Sequence, residues 1–261
     1  MIGNKVYLGT NTKMYKGIAD TVSYLKELYA LTQDISRDEM ELFVIPSFTT
    51  LESARRCLPD DKIRLGAQNM GWEDEGPFTG EVSPRMLEEV GVTIAELGHS
   101  ERRHVLLETN EMINRKVLCA ISHGMTALLC IGETAEEKEL GLADEVLRTQ
   151  LKAGLHGVDP QKAGQLWIAY EPVWAIGEKG VPATKEYAAE RHATIRRTLE
   201  ELFGAQSGAA VPILYGGSVN PQNATGLIQM EHIDGLFIGR SAWNAQNFNA
   251  LIRDVLATLR G

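Results

Sequence analysis

The sequence predicts an α/β protein folded as a (β/α)8 barrel, eight parallel strands ringed by helices. Three observations carry that expectation. Short, almost continuously apolar, β-branched runs alternate with longer amphipathic segments along the whole chain. Such alternation implies a parallel sheet, and strands covered on both faces read as unbroken apolar runs. Eight repeats fill the 261 residues, roughly 33 residues apiece, which is the size of a βα unit. Finally, no linker or low-complexity tract divides the repeats, so residues 1–261 read as a single domain. An open doubly wound sheet is the alternative, but no Gly-x-Gly-x-x-Gly fingerprint follows the first strand.

The elements follow in order. Strand 1 is "KVYLGTN" (5–11), and the helix after it, in "IADTVSYLKELYAL", places Val22, Leu25, Leu28 and Tyr29 on one face. Strands 2, 3 and 4 are "ELFVIP" (41–46), "IRLGAQN" (63–69) and "TIAELG" (93–98). The helix in "TNEMINRKVLCAISHG" stops at Gly124. Strand 5, "TALLCIG" (126–132), precedes the helix in "ADEVLRTQLKAGL". Strand 6, "LWIAYE" (166–171), precedes "KEYAAERHATIRRTLEELFG", a helix stopped by Gly204. Strands 7 and 8 are "VPILYG" (211–216) and "DGLFIG" (234–239), and "NFNALIRDVLATLRG" forms the last helix.

Composition narrows the class. Apolar content of 44% and charged content of 23% are ordinary for a soluble globular protein. A net charge of -9 argues against nucleic-acid binding, although backbone dipoles can still hold an anion. Cys57, Cys119 and Cys130 are odd in number and lack metal-site spacing, so neither a disulfide framework nor a zinc site is expected. The stretch "MIGNKVYLGTN" has no signal-peptide pattern, and no apolar run is long enough to span a bilayer. A cytoplasmic location without a membrane partner is the expectation.

Barrel chemistry sits at the carboxyl ends of the strands. Strand 1 ends "GTNTKM", where Asn11 and Lys13, two apart, share one face of an extended segment. Strand 4 ends "ELGHSERR". His99 there precedes Ser100, a good N-cap residue, and Glu101 in a first helical turn whose positive end favours a neutral imidazole. Glu96 has the opposite strand parity to His99, which predicts pairing with a buried cation behind the sheet. Cys130, at the end of strand 5, has no base beside it and reads as packing. Glu171 ends strand 6 and is fixed by Pro172, which makes it a general-base candidate. Gly216, Gly217 and Ser218 after strand 7, and Gly239 after strand 8, offer backbone N–H groups where barrels bind phosphate.

Five separated motifs, "GPFTGEVS" (76–83), "GHSERR", "CIGET", "AYEPVWAIG" and "YGGSVN", together resemble the triosephosphate isomerase family along essentially the whole chain. The resemblance implies a TIM barrel and a cofactor-independent aldose–ketose isomerase of a small sugar phosphate. Glu171 is then the base that moves a carbon-bound proton, and neutral His99 polarises the carbonyl. Lys13 stabilises the enediolate, Asn11 holds its oxygen, and Glu101 supports Lys13. Phosphate is expected on Gly177, Ser218, Gly239 and Arg240, beneath a lid over 173–183. No metal or organic cofactor is implied, because the substrate carbonyl is the electron sink. The Gly76–Ser83 loop resembles an arm that enters a second subunit, with Thr79 reaching the other subunit's Asn11 and Lys13, which implies a homodimer.

Three departures from the family pattern stand out. Thr12 occupies a position usually held by tryptophan, the lid hinge reads Glu178 to Ala183 and is longer, and Arg240 replaces a glycine. An arginine there adds a forked cation for phosphate oxygens. The motifs alone place the dihydroxyacetone phosphate/D-glyceraldehyde 3-phosphate pair of glycolysis and gluconeogenesis first. The departures are similar to a branch that isomerises four-carbon erythrulose phosphates in tetritol catabolism, the alternative. A barrel that only binds phosphate leaves Asn11, Lys13, His99 and Glu171 unexplained. A phosphoribosyl anthranilate isomerase needs a Cys/Asp pair at strand ends 1 and 5, where strand 1 here offers Asn and Lys.

Overall fold

The computed structural model describes residues 5–59, 62–177 and 180–261. Eight parallel strands follow one another around a closed barrel: β1 (Val6–Asn11), β2 (Met40–Ile45), β3 (Arg64–Ala67), β4 (Ile94–Leu97), β5 (Thr126–Ile131), β6 (Leu166–Tyr170), β7 (Ile213–Tyr215) and β8 (Gly235–Ile238). Closure comes from β1 pairing with β8, Tyr7 opposite Gly235. All eight predicted strands form, each within a few residues of its expected ends.

Side chains alternate between two cores. Inside the barrel, Phe43, Ile45, Ile94, Leu128, Trp167, Leu214 and Phe237 pack together. Aromatic rings fill it near the strand starts: Phe43 lies 5.3 Å from Trp167 and 5.6 Å from Phe237. Gly9 leaves room for them, since a Cβ there would stand 2.2 Å from the Phe43 ring. Outside the barrel, the alternate strand residues meet the helices.

The helix Ile18–Thr32 buries Tyr24, Leu25 and Leu28, while Val22 and Tyr29 are only half-buried. The expected stripe is rotated because Tyr24 turns inward and its hydroxyl donates to the Ala242 carbonyl at 2.7 Å. That carbonyl lies directly before the last helix, Ala245–Arg260, which packs against Ile18–Thr32 and completes the ring. Several short helices, including Leu51–Cys57, Pro84–Glu89 and Ala224–Ile228, are too brief for periodicity to reveal. Among the described residues no helix is long and apolar enough to cross a membrane.

Candidate active site

The site is assembled from strand ends. Asn11 is the last residue of β1 and its side chain is buried. Its Oδ1 accepts from the Lys13 backbone N–H at 2.6 Å and from Gln68 Nε2 at 3.0 Å. Its Nδ2 donates to Glu96 Oε2 at 2.7 Å. These partners leave one orientation for the amide. Lys13 also faces the site, but strand alternation does not put it there. Its φ is 50°, in the left-handed region, so the chain has already left the strand. Such a conformation costs about 1–3 kcal/mol for a side-chain-bearing residue. It is held by Ser47 Oγ and Gln68 Nε2, which both donate to the Lys13 carbonyl at 2.8 Å. The ammonium lies 2.7 Å from Glu101 Oε1.

His99, not Ser100, caps the short helix Ser100–His104: its Nδ1 accepts from the Glu101 N–H at 3.1 Å. A nitrogen that accepts carries no proton, so the ring is neutral with its hydrogen on Nε2. Nε2 stands 3.7 Å from Glu171 Oε1. Glu171 is buried, and its Oε2 accepts from the Ser100 N–H at 3.4 Å. Two glycines make space for it. A Cβ on Gly216 would stand 2.9 Å from Glu171 Cγ, and one on Gly132 would collide with the Glu171 carbonyl at 1.9 Å.

Glu96 corrects its expectation. Among the described residues it pairs with no cation behind the sheet; it points into the barrel, onto Asn11. Its oxygens lie within 4.8 Å of ligating atoms of His99 and Glu171, and Cys130 Sγ is 3.9 Å from Oε1. The parity argument fails because Gly98, with φ 74°, resets the alternation between Glu96 and His99. Burial and the nearby Glu171 push the Glu96 carboxyl well above its ordinary range.

Asn11, Lys13, His99, Glu101, Glu171, Gly177, Ser218, Gly239 and Arg240 all line one cavity of about 220 Å³. Sequence reasoning missed Tyr15 and Trp243, which share that lining with rings 4.6 Å apart. Trp243 Nε1 donates to the Asn11 carbonyl at 2.9 Å and covers the turn that carries Thr12. The "SAW" run after Arg240 was the available signal, but nothing local says which strand end an indole will meet.

Above the cavity, the turn Val173–Ala175 leads to Ile176 and Gly177. Trp174 Nε1 donates to Glu133 Oε1 at 2.8 Å, and Tyr187 Oη donates to the same oxygen at 2.9 Å. Tyr170 adds its hydroxyl to that carboxylate at 3.1 Å. Glu178 and Lys179 of the expected hinge lie outside the described residues. After them, Gly180 and Val181 turn back to bond the Gly177 and Trp174 carbonyls, at 3.3 and 3.4 Å.

The arrangement offers a buried carboxylate, a neutral N–H donor and an ammonium around one space, whose lining also includes Gly177, Gly216, Gly217, Ser218 and Gly239. That is the equipment for moving a proton beside a carbonyl while an anion is held. The profile of the family described as Triosephosphate isomerase matches residues 6–255. An L-erythrulose-1-phosphate isomerase of Rhizobium etli is 47% identical over 257 residues, 97% of this chain and 94% of the relative. Proteins of the same name from Brucella abortus and Mesorhizobium japonicum are 45% and 44% identical, covering 94% and 93% of this chain and 94% of each relative. Triosephosphate isomerase from Bartonella henselae superposes with a TM-score of 0.86 at 34% identity, over 96% of this chain and 98% of that one.

Proposed function

The chain belongs to the triosephosphate isomerase family and is an isomerase, an intramolecular oxidoreductase; on that premise we propose that its substrate is a four-carbon ketose phosphate, L-erythrulose 1-phosphate. The observation that carries this reading is the name shared by relatives 44–47% identical over nearly the whole chain. It reverses the order that the motifs alone suggest, in which the triose pair comes first. Arg240, exposed at the cavity's phosphate end, supports the same reading as a group able to grip phosphate oxygens.

The chemistry follows from the geometry. In L-erythrulose 1-phosphate the carbonyl is next to the phosphate-bearing carbon. Glu171 removes the proton from the neighbouring carbon on the far side, which leaves an enediolate across the two central carbons. His99 Nε2–H donates to the developing oxyanion, and the Lys13 ammonium balances its charge. Asn11 Nδ2 supplies a further hydrogen bond. Glu171 then returns a proton to the original carbonyl carbon, His99 passes the neighbouring hydroxyl's proton to the original carbonyl oxygen, and the carbonyl ends one position further from phosphate. With three carbons this shift yields an aldehyde. With four it yields a second ketose, because the reacting carbon carries a hydroxymethyl group. The expected aldose–ketose label therefore becomes ketose–ketose, with base and donor unchanged. Gly177, Ser218, Gly239 and Arg240 hold the phosphate, and the 173–183 segment shields the enediolate from water.

A homodimer through the Gly76–Ser83 loop belongs to the same reading. Phe78 on the loop, Met86 on the helix that follows it, and Met14 and Tyr15 just past β1 are exposed apolar groups, and such surface calls for cover. Thr79 of one subunit then faces the Asn11–Lys13 turn of the other.

The test is paired kinetics on purified protein. The tetrulose phosphate should have the higher kcat/KM. A triose value near the diffusional ceiling of about 10⁸ M⁻¹ s⁻¹, with poor tetrulose turnover, would overturn the substrate.

A further inference from the structure

Directly beside the reacting groups, the mechanism leaves a buried carboxyl unused. Glu96 is fully buried on the inner face of β4, below the reacting groups. Its Oε2 is the acceptor that fixes Asn11 Nδ2 at 2.7 Å. An oxygen of Glu96, an oxygen of Glu171 and a nitrogen of His99 lie within 4.8 Å of one another. Two buried carboxylates this close repel each other when both are charged, which favours a proton on one of them. The surroundings decide which one. Glu171 accepts a backbone N–H and opens onto the cavity. Glu96 has the Asn11 amide and the Cys130 thiol, and among the described residues no cation forms an ion pair with it. The charged and titratable groups that face it are Lys13 from the β1 exit, Glu101 from the helix Ser100–His104, Cys130 from β5 and Glu171 from β6. His99 faces it from its own strand end, and Arg103 bonds the carbonyl of Cys130 instead.

We propose that Glu96 is a positioning residue for the isomerisation: held as a neutral carboxylic acid, it aims the Asn11 amide at the substrate oxygen and leaves Glu171 the only anion of the pair. Its deprotonation places a second negative charge under the forming enediolate, which opposes the reaction. This inference rests on the isomerase reading for its kinetic consequences, but not for the state of Glu96 itself.

Two variants test it. E96Q keeps a neutral side chain that accepts from Asn11; E96L does not. E96Q should hold kcat within a few-fold of wild type at neutral pH. E96L should lower kcat on the order of 100-fold, the scale of a misplaced catalytic group, with KM little changed. As pH rises, wild-type kcat should fall through the titration of Glu96, and E96Q should lack that alkaline limb. An identical limb in E96Q overturns the proposal. Two readouts work without turnover. The infrared C=O stretch of a protonated carboxyl should be present at neutral pH in wild type and absent in E96Q. The Asn11 side-chain amide signals in NMR should move in E96L and stay in place in E96Q. If the wild type turns over neither sugar phosphate while both signatures appear, the substrate reading fails and the assignment of Glu96 stands. Absence of the carboxyl band refutes that assignment, whatever the kinetics.

Discussion

His99 shows how one backbone bond settles the chemistry of a residue. By accepting from the Glu101 N–H, Nδ1 leaves the ring proton on Nε2, facing the cavity. H99L removes that donor, and kcat should fall about 10²- to 10⁴-fold, the usual contribution of a positioned acid or base, while thermal stability changes little. Gly216 makes a complementary case. In G216A the new methyl meets Glu171 Cγ at 2.9 Å, so the proposed base must shift. We expect kcat to drop by about 10²-fold, with phosphate affinity unchanged in inhibitor titrations. His192 governs acid stability instead. It is buried, its Nδ1 lies 2.9 Å from the His232 carbonyl, and burial pulls its imidazole down to about 3. Between the ordinary 6.5 and about 3, the unfolded chain takes up a proton that the folded chain refuses. That part of the stability is therefore present above pH 6.5 and is lost as pH falls through the window. Melting temperatures measured across it should decline more steeply for wild type than for H192N.

Whole elements were far more legible in the sequence than their exits. Every strand could be read because two-sided burial leaves a short, almost continuous apolar run. The strand ends then located Asn11, Lys13, His99 and Glu171 around one cavity. What alternation could not supply was the conformation just past a strand. Left-handed Lys13 and Gly98 turn their neighbours onto faces that parity forbids, and for that reason Glu96 was misplaced. The lid anchor was hidden for another reason. Glu133 receives Tyr170, Trp174 and Tyr187 from positions 37, 41 and 54 residues away, a convergence no local window contains. E133L would strand these donors. Unfolding in urea should show a loss of about 3 kcal/mol or more, and Trp174 fluorescence should report a looser lid.

At the scale of the molecule, closure of the barrel brings β1, β4, β6, β7 and β8 exits to one mouth. The opposite side of the sheet is tied by buried charge. Arg196 pairs with Asp234 at 2.8 Å and also donates to the Gly208 and Val211 carbonyls. The proposed dimer is tested by F78E, which puts a charge at an exposed phenyl on the arm; sedimentation should show a shift toward monomer with the barrel's circular dichroism intact. Proton exchange tests whether Glu171 isomerises a tetrulose phosphate through an enediolate, as proposed. L-Erythrulose 1-phosphate is incubated with enzyme in D2O and followed by proton NMR. Solvent deuterium should enter at the two central carbons, growing with turnover, and its incorporation should fall about 10³-fold in E171Q. Turnover without deuterium at either carbon, or undiminished exchange in E171Q, would contradict that mechanism.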